Sequence, residues 1–227
     1  VKSSENGQNE KRLKIIRNDP IGNYSWDSGV VSVTLFVPYS VPDKGNGKND
    51  WSQASLEKYL NGEYLNSIDS VSQELIGDTL WNIGGSSSGI MVNDFYNSER
   101  GTEVYNGRPT TWVGKIGLMY LSDYGYATSG GTTTNRSSCL AQFNWYDSGY
   151  SDCKNNDYLY DSSSDQWTLN PASGYHQHVF SLGSTGLTYI QLVDKVYFIR
   201  PTFYLNSNVQ ITSGDGSSTN PYILSLE

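Results

Sequence analysis

The stretch DWSQASLEKYLNG, residues 50–62, decides what kind of fold this chain can adopt. Asp50 stands where an N-cap is wanted, and Gln53 three residues on completes a capping-box pattern. Trp51, Ala54, Leu56, Tyr59 and Leu60 fall on one helical face, and Asn61-Gly62 supplies a stop. A shorter helix is predicted from SVSQ, residues 70–73, where Ser70 repeats the cap logic ahead of Val71, Leu75 and Ile76.

Outside these two helices the signals are of strands and turns. RLKIIR, residues 12–17, alternates partly before Asn18-Asp19-Pro20 and reads as a first strand. VVSVTLFV, residues 30–37, is β-branched and ends at Pro38, and a flexible loop follows at 43–49. VGKIGLMY, residues 113–120, reads as a buried strand whose glycines admit another backbone. Residues 122–160 are rich in Tyr, Asn, Ser and Gly and read as a long irregular region, a feature that is usually functional. A short strand at 166–169 precedes an antiparallel meander at 178–182, 187–192 and 195–205, and a last hairpin spans 208–212 and 221–224. With no repeat and no linker, the economical reading is a solvated tail at 1–10 and one α+β domain at 11–227.

Composition narrows the function class. The 227 residues carry 15 Lys and Arg against 23 Asp and Glu, a net charge of -8, which argues against a nucleic-acid partner. The apolar runs are too short to span a bilayer, so no direct membrane insertion is expected. A chain this long buries roughly 70% of its unfolded surface and needs no metal or disulfide merely to fold. Low charge with 18 Tyr, 6 Trp, 6 Phe and 23 Gly suggests a secreted, loop-rich, β-biased domain. Cys139 and Cys153 lie in polar sequence. In an extracellular protein they read as a disulfide whose loop closure contributes about 3 kcal/mol; the alternative is two free thiols. The chain begins at Val1 with no Met and no apolar leader, as expected of a processed or truncated protein.

Six stretches run in order: RLKIIRNDPIGNYSWD, NDWSQASLEKYLNGEYLNS, ERGTEVYNGRPTTWVGKIGLMYLSDYGYATSGG, NRSSCL with DCKNNDYLY, QWTLNP, and IRPTFYLNSNVQITSGDGSSTNPYIL. Together they resemble a family of uncharacterised surface proteins of gut Firmicutes, whose members often carry a prepilin-type signal and apolar helix ahead of such a domain. The resemblance implies an extracellular place on a bacterial cell surface, with pilus subunits as possible partners. A weaker resemblance is to the C-type-lectin-like architecture, also found in formylglycine-generating-enzyme-like domains and in the variable proteins of diversity-generating retroelements. It implies two helices packed on a twisted antiparallel sheet with long irregular loops. The calcium-dependent lectin tripeptides are absent and Trp81-Asn82 is followed by Ile83, which argues against calcium-bridged sugar binding.

Reactive chemistry is sparse. Gly85-Ser86-Ser87-Ser88-Gly89 matches the nucleophile-elbow string, but no helical face follows it. His176 and His178 share a strand face without the third ligand zinc needs. Asp157, Asp161 and Asp165 do not meet the EF-hand pattern, and Glu99-Arg100 reads as a structural ion pair. No catalytic residue, metal or cofactor is therefore expected. Trp145, Tyr146, Tyr150, Tyr158, Tyr160, Tyr175, His176 and His178 mix aromatic rings with small polar neighbours, the composition of paratopes, and are the expected ligand-binding residues. The expected function is an adhesin-like binding module for a host or bacterial glycan or protein, displayed on a pilus or pseudopilus, with loop diversification in the same region. The alternatives are a structural minor pilin or envelope subunit, and an enzyme acting on polysaccharide.

Overall fold

The structure, a computed structural model, describes residues 2–4, 9–29, 47–142, 145 and 150–227. In chain order its strands are β1 (Lys2–Ser4), β2 (Asn9–Lys11), β3 (Lys14–Ile16), β4 (Asn23–Ser25), β5 (Thr79–Asn82), β6 (Thr111–Gly114), β7 (Ile116–Leu118), β8 (Gln166–Pro171), β9 (His178–Leu182), β10 (Thr188–Leu192), β11 (Val196–Phe198), β12 (Pro201–Tyr204), β13 (Val209–Ser213) and β14 (Ile223–Leu226). The helices are α1 (Ser55–Tyr59), α2 (Leu65–Ser67), α3 (Ser70–Leu75), α4 (Phe95–Glu99), α5 (Leu121–Ala127), α6 (Arg136–Leu140) and α7 (Ser151–Asn155). The molecule is mixed α+β, with sheets in the orders β10-β9-β8-β11-β4, β2-β1-β5-β6, β3-β12-β7 and β13-β14.

Early strands pair with late ones. β3 pairs antiparallel with β12, which sets Lys14 opposite Tyr204, and β4 pairs antiparallel with β11. β8 is buried along its whole length. Trp167 and Leu169 on one of its faces pack with Trp26, Trp51, Trp81, Leu56 and Ile116. A second cluster holds Phe95, Met119, Leu121, Tyr124, Trp145, Phe180, Leu182 and the two cysteines. In β9, Val179 belongs to the first cluster and its neighbour Phe180 to the second, as the two-residue alternation of a strand requires.

Several sequence expectations are corrected. The predicted helix at 50–62 begins as a 3₁₀ turn, Trp51–Gln53, and does not stop at Gly62. It runs from α1 through a π turn, Leu60–Tyr64, into α2. Asp50 accepts from the side chains of Ser52 (2.6 Å) and Gln53 (3.3 Å), so the expected backbone cap does not form. Asn61 is no stop signal, because its side chain bonds to Glu57, Lys115 and Ile116 backbone groups and ties the helix to β7. α3 is capped one residue early, by Asp69 accepting from the Ser72 amide at 2.9 Å.

The region read as irregular, 122–160, holds most of α5 together with α6 and α7. The two-helix expectation is thus too few; these short helices lack a long apolar period and are held by tertiary packing. Residues 2–4, placed in a solvated tail at 1–10, pair with 9–11, and Ser4 sits opposite Leu80 of β5. Backbone groups alone suffice for that pairing, so side-chain composition did not signal it. The expected 195–205 strand breaks at Ile199-Arg200 into β11 and β12, which belong to different sheets. β11 lies parallel to β8, so the end of the chain is not a simple meander. The strand expected at 30–37, and most of the loop at 43–49, lie outside the described residues.

Cys139 on α6 and Cys153 on α7 form a disulfide with a Cα–Cα distance of 5.6 Å, and both are fully buried. This closes the free-thiol alternative. The bond staples two helices each too short to persist alone. A Cys139→Ser, Cys153→Ser double variant should lose about 3 kcal/mol of unfolding free energy, the loop-closure contribution for a loop near this size. Denaturant titration measures it, and an unchanged midpoint would show that packing alone holds α6 against α7.

Candidate functional site

The expected ligand-binding residues do not share one surface. Trp145 is fully buried, packs on Tyr124 at 4.8 Å and donates its indole N–H to the Cys139 carbonyl at 2.9 Å. That corrects its placement: an indole this apolar gains more inside the second cluster than at a rim, and neither face is open to a ligand. Tyr150 and Tyr160 pack half-buried against the same cluster, with the Tyr160 hydroxyl donating to Ser184 O at 2.8 Å. Tyr146 lies outside the described residues. Tyr175 and His178 are in ring contact at 5.0 Å, and His176 meets Tyr105 at 5.5 Å. This group is braced by Asn49, which donates to the carbonyls of Ala172, Tyr175 and His178 and accepts from Arg108. Burial, and then the neighbouring His176, lower the pKa of His178. Among the described residues no three His, Cys, Asp or Glu side chains form a metal-type cluster.

Tyr158 is different. It is 70% exposed and lines a cleft of about 260 Å³ with Lys14, Tyr96, Arg100, Tyr120, Ser122, Asp123, Tyr126, Ala127 and Tyr204. Five separate elements build it. β3 carries Lys14 and β12 carries Tyr204 directly opposite. α4 presents Tyr96, and Arg100 follows one turn later. Ser122, Asp123, Tyr126 and Ala127 recur at the spacing of one face of α5. Tyr158 follows α7.

The cations of the cleft are fixed rather than loose. The Lys14 ammonium pairs with Asp123 and lies over the rings of Tyr120 (4.3 Å), Tyr204 (5.6 Å) and Trp81 (5.9 Å). Burial by itself would lower its pKa, but Asp123 and Tyr204 outweigh burial and hold it above the usual lysine value. Asp123 is in turn positioned by accepting from the Tyr120 amide at 2.7 Å. The Arg100 guanidinium stacks 3.5 Å from the Tyr96 ring centroid. Its Nη1 donates to Tyr96 O (3.0 Å) and Glu99 Oε2 (3.4 Å); its Nε and Nη2 have no protein acceptor among the described residues.

Glu99 lies fully buried beside this cation. It accepts from the Ser122 amide and hydroxyl, from Asn170 Nδ2 and from Arg100. Burial pushes its pKa up to about 7 against the pull of Ser122 and Asn170. The Glu99-Arg100 pair read from sequence is therefore real, and half of it faces the cleft. Gly84 makes the close packing possible: a Cβ there would meet the carbonyl oxygens of Ser98, Gly101 and Glu99 at 2.5, 2.6 and 2.8 Å. Neighbouring Ser87 is exposed and a turn, not a helix, follows it, so no nucleophile elbow is formed.

The profile of a family described as a domain of unknown function, DUF6273, matches residues 32–207. The chain belongs to the DUF6273 family. No curated protein and no solved structure matches it. Within this DUF6273 domain most of the cleft falls inside the matched segment, from Tyr96 to Tyr204, while Lys14 reaches it from the N-terminal side. Sequence reasoning missed Lys14, Tyr96, Tyr126 and Tyr204 as site residues. The usable signal was local: Tyr96 stands four residues before Arg100, the spacing that stacks a ring under a guanidinium on a helix.

Buried carboxyls give the DUF6273 domain a distinctive pH response. Glu99 moves from 4.5 to about 7 and Asp157 from 3.8 to about 8, both chiefly through burial. The folded state therefore keeps protons that the unfolded chain has released, and stability falls as pH rises between about 4 and 8. The melting temperature should be higher at pH 5.5 than at pH 8. Glu99→Gln should remove about 2 kcal/mol of the change between pH 5.5 and pH 8, at 1.36 kcal/mol per pKa unit. A variant whose melting temperature keeps the wild-type dependence on pH would show that Glu99 does not carry it.

Proposed function

We propose that this domain is a non-enzymatic, extracellular ligand-binding module that takes a glycan or a protein group in the tyrosine-lined cleft between β3, α4, α5 and β12. The observation that carries this is the pairing of exposed rings with pre-positioned polar groups. Tyr96, Tyr126 and Tyr158 are exposed at the cleft, while Lys14, Asp123 and Arg100 are held in place beneath them. Rigid aromatic area with a few fixed polar groups is what a binding site for a small polar ligand requires. The buried disulfide fits an oxidising compartment, and no helix among the described residues is long and apolar enough to cross a membrane. A C-type-lectin-like architecture, with the helical segment from Ser55 to Ser67 packed on the core ahead of the Gln166–Pro171 strand, is part of the same proposal, as is display on a pilus-like fibre.

A second reading has its own support. Among the described residues β13 and β14 pair only with each other, and Ile211 on β13, Ile223 and Leu226 on β14 and Tyr222 just before it are exposed. A hairpin with exposed apolar side chains suits a subunit contact of the minor-pilin kind.

A glycan array with the wild-type domain, Tyr158→Ala, Tyr126→Ala and Tyr175→Ala separates the sites. Loss of roughly tenfold or more is expected for the first two, the size of truncating a central aromatic contact, and little change for Tyr175→Ala. Loss confined to Tyr175→Ala would move the site to the His176 and His178 ledge. Silence across the array would turn the search to protein ligands and subunit assembly.

A further inference from the structure

Resting on the reading of the cleft as a glycan site, we propose that its ligand is an acidic sugar, of the uronic-acid or sialic-acid class, whose carboxylate is received by the Nε and Nη2 edge of Arg100.

Arg100 is built as a receiver. Its guanidinium plane is fixed by the Tyr96 ring at 3.5 Å, and one nitrogen, Nη1, makes both of its protein hydrogen bonds. The Nε–Nη2 edge presents two parallel N–H groups with no protein acceptor among the described residues. That fork matches the two oxygens of a carboxylate, and because stacking has already ordered the side chain, little rotamer freedom is lost on binding.

The remaining charges favour the same sign of ligand. Lys14 is a second cation lining the cleft, held in the charged form by Asp123. The charge of Asp123 is paired with Lys14 through Oδ2, which also accepts from the Tyr120 amide, and Glu99 is buried away from solvent with four donors on it. A cationic ligand would meet two cations, and a neutral one would leave the Arg100 edge to water. The protein as a whole is strongly acidic, at -8, but distant surface charge is screened over about 8 Å at physiological salt, so the local cations decide.

The space and the walls select a sugar among carboxylates. About 260 Å³ is smaller than a drug-sized pocket and suits one ring with its substituents. Tyr96, Tyr126 and Tyr158 line it with aromatic rings that suit the apolar side of a pyranose. The site then reads a terminal or isolated acidic residue, not the interior of a long polymer.

Isothermal titration of the domain with 3′-sialyllactose, digalacturonate, their methyl esters and lactose tests this. At least one acid should bind, its methyl ester should bind about tenfold more weakly or worse, and lactose should match the ester. Arg100→Lys, which keeps the charge and loses the fork, should cost about tenfold for the acid and leave the ester unaffected; a melting curve confirms that the variant is folded. Val71→Ala, at an exposed position of α3 that does not line the cleft, serves as a folded control that keeps the affinity. The two acids separate an animal-type from a plant- or microbe-type source. Equal binding of acid, ester and lactose would overturn the carboxylate assignment and leave the glycan site standing. Binding of no sugar in either form would overturn both.

Discussion

Two indole hydrogen bonds lace the centre of this molecule. Trp26 on the β4 side donates to the Thr168 carbonyl of β8 at 3.1 Å, and Trp167 of β8 donates back to the Tyr24 carbonyl of β4 at 2.9 Å. β11 lies between these two strands in the sheet. Both indoles are fully buried, so each N–H had to find an acceptor or leave a desolvated donor behind. Meeting that demand reciprocally fixes the spacing of β4, near the start of the chain, and β8, more than 140 residues later. From Trp26 a continuous run of ring contacts leads through Trp51, Trp112 and Trp81 to Tyr204. Other elements pack against this run, and it ends at the cleft.

The ammonium of Lys14 is where that aromatic core turns into a site. An unpaired buried cation would cost several kcal/mol in lost hydration. Here the loss is offset by Asp123 and by the faces of three rings belonging to the core itself. Asp123 can do this because the same carboxylate also accepts from the Tyr120 amide at the start of α5. The cleft is therefore an outgrowth of core packing, with its polar groups already oriented, and not a set of mobile loops waiting for a ligand. Glu99 works in the same way on the other wall, gathering α4, α5 and β8 through Arg100, Ser122 and Asn170.

How much of this was legible in the chain varied with the range of the interaction. The helix near Leu56, the strands β8, β9 and β10 and the last hairpin follow from local periodicity and turn residues, and they stand close to where the pattern placed them. The short helices α4, α6 and α7 did not announce themselves, because five residues carry too little period to outweigh a Ser- and Asn-rich composition. The aromatic surplus was legible as a quantity and misleading as an address. Trp145 looked like a ligand-facing residue among polar neighbours; the disulfide beside it and Tyr124 beneath it made a buried niche that no local rule reveals. Of the expected ligand-binding residues that the structure describes, Tyr158 alone lines the Lys14 cleft.

By itself the sequence determined the class: α+β, rich in rings and turns, low in charge, poor in reactive side chains, with two cysteines in the right setting to bond. Only the tertiary structure decided which residues gather at the cleft. Lys14 and Tyr204 face each other across the β3–β12 register although nearly the whole chain lies between them, and Arg100, Asp123 and Tyr158 join them from three further elements. Hydrophobic periodicity tells which face of an element turns inward. It carries no information about which distant element comes to lie against that face, since strand register and core packing settle that choice jointly over the whole fold.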